Sequence, residues 1–348
     1  MKRASVDIGA GGRTSKTDPT PRQTPPLTTP NEGLRMADEQ QSGTLAPDVE
    51  GTVEQPVYRE SARHRFTRKG TPYFFIVPAV ILVVVVLAYP VGYGIYLSFM
   101  DTDVFGVTRF AGFDQYIDMF QDPIFINALW RTGILVVGTI IIGIVFAVVF
   151  ALVLDRVRWG GSIWRTIVLV PYLISGVAAA VMWRFLFSPT GGMANPLLGF
   201  FGVPPLSWLG DPALAMTVII LANVWFISPF ATLIIYAGLK TVDPVLYEAA
   251  DVDGASANRK FLHITMPSIA PQFGLALVWL SFASFNMFDV ILPLTGGGPA
   301  RATDVMALLL YELAFQQLDF NGSAVVMVVL LVVNVVFSSV YLMVVRSE

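Results

Sequence analysis

No cysteine occurs among the 348 residues, which excludes disulfides, thiolate metal centres and cysteine nucleophiles together. The two histidines, His64 and His263, are too few for a histidine-rich metal centre. Charge is scarce as well: 14% of residues are charged, against about a quarter in an ordinary soluble domain. A formal net charge of −3 gives no reason to expect a nucleic-acid partner. What replaces charge is apolar surface, at 55% hydrophobic residues, concentrated in a few long blocks as in a multi-span membrane protein. No catalytic, cofactor-binding or metal-ligating residue is assigned.

Residues 1–64 lack the apolar blocks. The stretch TDPTPRQTPPLTTPNEG has almost nothing to bury, so a disordered N-terminal segment is expected ahead of a membrane domain over 65–348. It has no signal-peptide core, and Met36 is read as a candidate alternative start that the sequence alone does not decide.

Six apolar stretches follow, at about 74–99, 132–154, 166–187, 214–238, 269–294 and 324–345. Each can cross a hydrocarbon layer of roughly 30 Å. Unpaired amides are too costly there, so the spans must be helical and the fold class is an all-α polytopic membrane protein. Pro78 and Pro90 predict a kink in the first span, while Gly138, Gly143, Gly176 and Ala178 to Ala180 offer close-packing faces. Arg65, Arg68 and Lys69, then Arg156, Arg158 and Arg165, then Lys240, Arg259 and Lys260, and finally Arg346 fall on one side. The other side has only Arg109, Arg131, Arg184 and Arg301, so both termini and the loop after the fourth span are expected in the cytoplasm.

That loop reads EAADVDGASANRKFLHITMP over 248–267 and is polar despite lying between two spans. Asp243-Pro244 predicts a helix start, with Val245, Leu246, Ala249 and Ala250 at helical spacing. Gly254 permits a sharp turn, helix is expected again over 255–264, and Pro267 is expected to end it. The result is a short helix across the end of the bundle, able to seat in a partner's groove.

The spacing of Glu248-Ala249-Ala250, Gly254, Ile264 and Pro267 resembles the EAA loop of ABC-importer permeases, with Met266 where that pattern has Leu. The segment FDVILPLTGGGPARAT over 288–303, together with Tyr89-Pro90 and Val170-Pro171-Tyr172, is similar to carbohydrate-type permeases related to the maltose and glycerol-phosphate systems. The resemblance implies a type I importer permease fold with six transmembrane helices and a cytoplasmic coupling helix. It implies docking on a dimer of ABC ATPase subunits, with Glu248 touching the partner, Ala249 and Ala250 packing there and Gly254 shaping the turn. A second related permease, an extracytoplasmic solute-binding protein and a bacterial inner-membrane location are implied too. ATP and magnesium would then bind in the partner ATPase. Gly296-Gly297-Gly298 is followed by no lysine and is read as a tight outer turn, not a nucleotide loop.

Polar side chains within the spans are candidates to line a solute path: Asn223, Trp225, Ser228, Ser281, Ser284, Phe285, Asn286 and Asn334. Amides and hydroxyls interleaved with aromatics suit a sugar, and the want of a central Lys or Arg disfavours a strongly anionic solute. The same groups can instead hold helices together. Asp289 is read as a cap at a helix end. The competing functions are an ion-gradient carrier, which would show internal repeats and intramembrane titratable groups, and an importer of another polar solute such as glycerol-3-phosphate. An intramembrane enzyme would need a nucleophile with a base or paired carboxylates, and the spans present no such set.

Overall fold

The computed structural model describes residues 76–102, 108–157 and 159–346. The expectations for residues 1–64 and for Met36 lie outside the described residues. The first apolar stretch is α1 (Ile76–Leu97), followed by the antiparallel strands β1 (Met100–Thr102) and β2 (Thr108–Phe110), with Asp101 opposite Arg109, and by α2 (Asp114–Gln121). Next come α3 (Pro123–Arg156), α4 (Gly161–Leu173), α5 (Gly176–Leu186), α6 (Ala194–Gly199) and α7 (Pro212–Leu239). The chain continues as α8 (Pro244–Val252), α9 (Ala257–Ser268), α10 (Ala270–Phe285), α11 (Ile291–Leu294), α12 (Met306–Gln316) and α13 (Phe320–Arg346). Among the described residues, four helices (α1, α3, α7 and α13) are long and apolar enough to cross a membrane singly. The pairs α4–α5 and α9–α10 are bent by 89° and 74°, and make six spans if each pair is one.

One sequence device starts three of these helices. Asp122-Pro123, Asp211-Pro212 and Asp243-Pro244 each put an aspartate at the N-cap and a proline at the first helical position. The carboxylates accept from Ile124 N at 2.8 Å, from Ala213 N and Leu214 N at 2.9 Å, and from Val245 N at 2.9 Å. Proline sits there without loss because its missing amide would have no partner. The Asp122 cap is why α3 begins well before the predicted 132.

Other prolines shape helix interiors. A π-helical turn at Val84–Ala88 precedes Pro90, and another at Phe261–Thr265 precedes Pro267. A widened turn relieves the clash between a proline ring and the preceding carbonyls. Pro267 therefore does not end its helix as expected: α9 runs on to Ser268 and the chain bends at Ile269. The third span is not the continuous helix predicted over 166–187. Pro171 removes one amide, and Ile174 and Ser175 turn extended at ψ 148° and 135°. The fifth span, predicted over 269–294, is helical only to Phe285 and resumes at Ile291.

The core is centred on α7, whose Val218, Ile219, Ala231 and Ile235 are fully buried. Gly143 on α3 permits a close approach to two helices: a Cβ there would lie 3.0 Å from Ser228 Oγ and 3.3 Å from Leu280 Cδ2. By contrast α1 has exposed side chains along its length and meets the bundle against α13, where Gly94 lies under Met327.

Candidate functional site

The loop after α7 folds as two arms around Gly254. Helix α8 ends in a Schellman motif: Gly254 adopts φ +69°, Gly254 N donates to Asp251 O at 3.1 Å, and Ala255 N donates to Ala250 O at 2.9 Å. Ser256 then caps α9 through Arg259 N at 3.4 Å. Lys260 Nζ pairs with Asp251 Oδ1 at 2.6 Å, and the Tyr247 hydroxyl meets Thr265 Oγ1 at 2.9 Å, so the arms are cross-braced. Gly254→Val is expected to cost about 1–2 kcal/mol through the left-handed backbone, read as faster proteolysis between α8 and α9.

This bracing sorts the motif residues into two groups. Tyr247, Ala250 and Ile264 turn inward, and Tyr247 and Ile264 pack against the core. Val245, Glu248, Ala249 and Val252 form an exposed stripe at helical spacing, with Val245 61% and Val252 89% exposed. Gly254, Pro267 and His263 are exposed as well. Beside the loop, Lys240 Nζ bonds Asp155 Oδ1 at 2.7 Å, tying the ends of α7 and α3. Tyr236 lies beneath both Lys240 and Arg165, 5.3 Å and 5.7 Å from their charged groups.

The intramembrane polar residues divide similarly. Asn223 Nδ2 donates to Thr139 Oγ1 at 3.0 Å and to Ser284 Oγ at 3.1 Å, joining α3, α7 and α10. Asn223, Ser228, Ser281, Ser284 and Phe285 are all buried, and Asn223 Oδ1 and Ser228 Oγ have no partner among the described residues. Trp225 is half-buried, edge-on to Trp183 at 6.0 Å. Asn286 and Asn334 instead line an open cleft of about 470 Å³ between α10 and α13, with Phe282, Met327, Ser338 and Ser339. Residue type marked all of these as candidates, but the face each presents depends on packing between helices distant in sequence.

On the opposite end of the bundle, the glycine run forms a turn with Gly296 and Gly297 at φ +58° and +86°. Thr303 Oγ1 donates to Gly298 O at 2.6 Å, and Arg301 bridges Asp304 Oδ2 at 2.5 Å and Glu312 Oε1 at 2.8 Å. Burial pushes the Asp304 carboxyl above its ordinary value, an effect Arg301 opposes. Sequence reading missed this trio, in which Arg301 sits in the left-handed region at φ +59°. Among the described residues no group of three or more His, Asp or Glu side chains is placed to hold a metal ion.

Residues 139–347 match the family described as binding-protein-dependent transport system inner membrane component. The chain is 32% identical over 292 residues to the sn-glycerol-3-phosphate transport system permease protein UgpA of Escherichia coli (strain UTI89 / UPEC), covering 83% of this chain and 98% of that one. It is 32% identical over 281 residues to a probable ABC transporter permease protein of Brucella suis biovar 1, covering 80% and 97%. Among solved structures, a chain of a bacterial ABC transporter involved in the import of the acidic polysaccharide alginate superposes with a TM-score of 0.71 at 24% identity, covering 82% of this chain and 99% of that one. A bacterial alginate ABC transporter in complex with an alginate pentasaccharide-bound periplasmic protein gives 0.70 at 25% identity, covering 80% and 95%.

Proposed function

The chain belongs to the family of binding-protein-dependent transport system inner membrane components, and from that premise we propose that it is one permease of an ATP-driven carbohydrate importer. It is a transport subunit of the inner membrane, not an enzyme. The observation that carries the mechanism is the stripe of Val245, Glu248, Ala249 and Val252 on a helix braced against the bundle. A rigid apolar face with one acidic group, held outside the membrane, is complementary to a groove on a partner. In this reading the partner is an ATPase dimer that binds ATP and magnesium, and its closure pushes α8. Because α8 and α9 are cross-linked by Lys260–Asp251 and Tyr247–Thr265, the push passes through Ile269 into α10. The Lys and Arg excess supports a cytoplasmic position for both termini and for this loop.

The solute reading rests on chemistry and similarity together. Relatives described as transporting glycerol-3-phosphate and alginate favour a hydroxyl-bearing solute. The cleft lined by Asn286 and Asn334 offers amides beside Phe282 and carries no Lys or Arg. We assign the path to this cleft, while Asn223, bonded to Thr139 and Ser284 on neighbouring helices, holds the bundle in this conformation. Asn334→Leu and Asn286→Leu are each expected to raise the solute concentration for half-maximal uptake about tenfold, one hydrogen bond's worth. An unchanged value for both would move the path elsewhere.

The reading as a whole is tested by gentle detergent extraction from native membranes, with mass spectrometry of what accompanies this chain. Recovery of an ATPase, a second EAA-bearing permease and a solute-binding protein is expected. Reproducible recovery of the chain alone would favour a gradient-driven carrier instead.

A further inference from the structure

Two interrupted spans meet at their interruptions. The third span breaks at Ile174–Ser175, and the fifth leaves its helix between Phe285 and Ile291. Asp289, inside the second break, lays its carboxylate against Gly176, the first residue of α5. The approach is so close that a Cβ on Gly176 would overlap the carboxylate. Ser175, in the N-cap position of α5, makes no capping bond with its own side chain. The carboxylate, exposed at its outer side, thus lies beside the N-terminal and positive end of the helix, against Cα of Gly176, without accepting a hydrogen bond from its amides. A second tie lies further along the same helix: Arg184 Nη1 donates to the carbonyl of Pro293 in the segment after the break, at 3.1 Å.

We propose that Asp289 is a positioning residue that clamps the two breaks together through the bare Cα of Gly176, so that α5 and the segment from Asp289 to Leu294 move as one body. Continuous helices need no such clamp. A helix interrupted at Ser175 has lost the backbone bonds that would fix its second half, and a partner must restore its direction. Glycine is required because any side chain at 176 displaces the carboxylate. The transport consequence rests on the importer reading, whereas the clamp itself does not.

The natural absence of cysteine makes the test direct. Arg184→Cys with Pro293→Cys places one thiol pair across the clamp, to be joined by a short bifunctional thiol reagent in membranes without solute. Cross-linking is expected to be efficient with Asp289 present and to fall several-fold with Asp289→Asn or with Gly176→Ala. Equal yields in all three would overturn the clamp, whatever the protein transports.

Uptake by the assembled transporter then tests the role. Asp289→Asn and Gly176→Ala are each expected to lower uptake about tenfold at equal membrane levels and equal ATPase association, and their combination no further, since both break one contact. If the halves move together, tethering 184 to 293 leaves transport intact and restores uptake to Asp289→Asn. Loss of uptake on tethering the double-cysteine chain with Asp289 present, relative to the same chain untethered, would show that the halves separate and would sink the proposal. A native complex without ATP-dependent uptake would instead count against the importer reading, and the cross-linking result would stand by itself.

Discussion

Glu248→Lys is expected to leave the chain inserted at its normal level and to abolish solute uptake. Glu248 is exposed on the stripe that also carries Val245, Ala249 and Val252, so its charge lies in the centre of the face available to a partner. Reversing a charge there replaces an attraction by a repulsion and desolvates a lysine without compensation. A buried interfacial charge costs roughly 2–5 kcal/mol when its pairing is destroyed, so association should weaken about thirtyfold or more. The fold should not respond, because the side chain makes no contact that braces α8: the cap is Asp243, and the cross-links are Tyr247 and Asp251. Co-purification of the ATPase, uptake and membrane level, measured on one preparation, separate these effects. Normal uptake would overturn the assignment of α8 as the coupling element, and a lost membrane level would show that Glu248 acts in folding instead.

The parts of this molecule that could be read from sequence are those set by local chemistry. Asp243-Pro244 specifies a helix start, Gly254 specifies a left-handed stop, and both occur where expected. Apolar length likewise announced the membrane-crossing stretches, since hydrocarbon thickness sets a minimum run. Hydropathy is blind to direction, however. The stretch 166–187 is apolar throughout, and the extended backbone at Ile174 and Ser175 alters no residue's polarity. Pro171 was visible, but a proline is compatible with a kink, a widened turn or a full break, and the surroundings decide which. Pro267 illustrates the converse, a proline tolerated by a π-helical turn.

The solute-path candidates show the same limit. Asn223 and Asn334 are both amides in apolar runs, yet one reaches Thr139 and Ser284 on other helices while the other borders a cleft. Nothing within several residues of either distinguishes them. Asp289, read as a helix cap, does not cap α11, whose N-cap is Val290, and lies instead against the start of α5, distant in sequence.

Removing Arg301 should be the most damaging single change outside the loop after α7. Arg301 is held in the left-handed region at φ +59° and spends both terminal guanidinium nitrogens, on Asp304 and Glu312. Asp304 is 4% exposed and its Oδ1 has no partner among the described residues, so Arg301→Ala would leave a buried carboxylate facing Glu312 uncompensated. Such a loss costs about 3–5 kcal/mol for a fully buried pair. Arg301 is itself 40% exposed, so about 2–3 kcal/mol is the expectation here. The thermal midpoint should then fall by about 5–10 °C. The sign of the pH dependence follows from burial. With its folded pKa already raised, Asp304 holds its proton more tightly in the native state than in the unfolded one, and losing Arg301 raises that pKa further. The penalty is therefore complete above the folded pKa and is relieved as pH falls through it towards the ordinary carboxylate range. Arg301→Ala should approach the native midpoint in acid, and adding Asp304→Asn should recover stability at neutral pH. A deficit that neither acid nor Asp304→Asn reduces would mean that Arg301 acts through the backbone of the glycine turn and not through its charge.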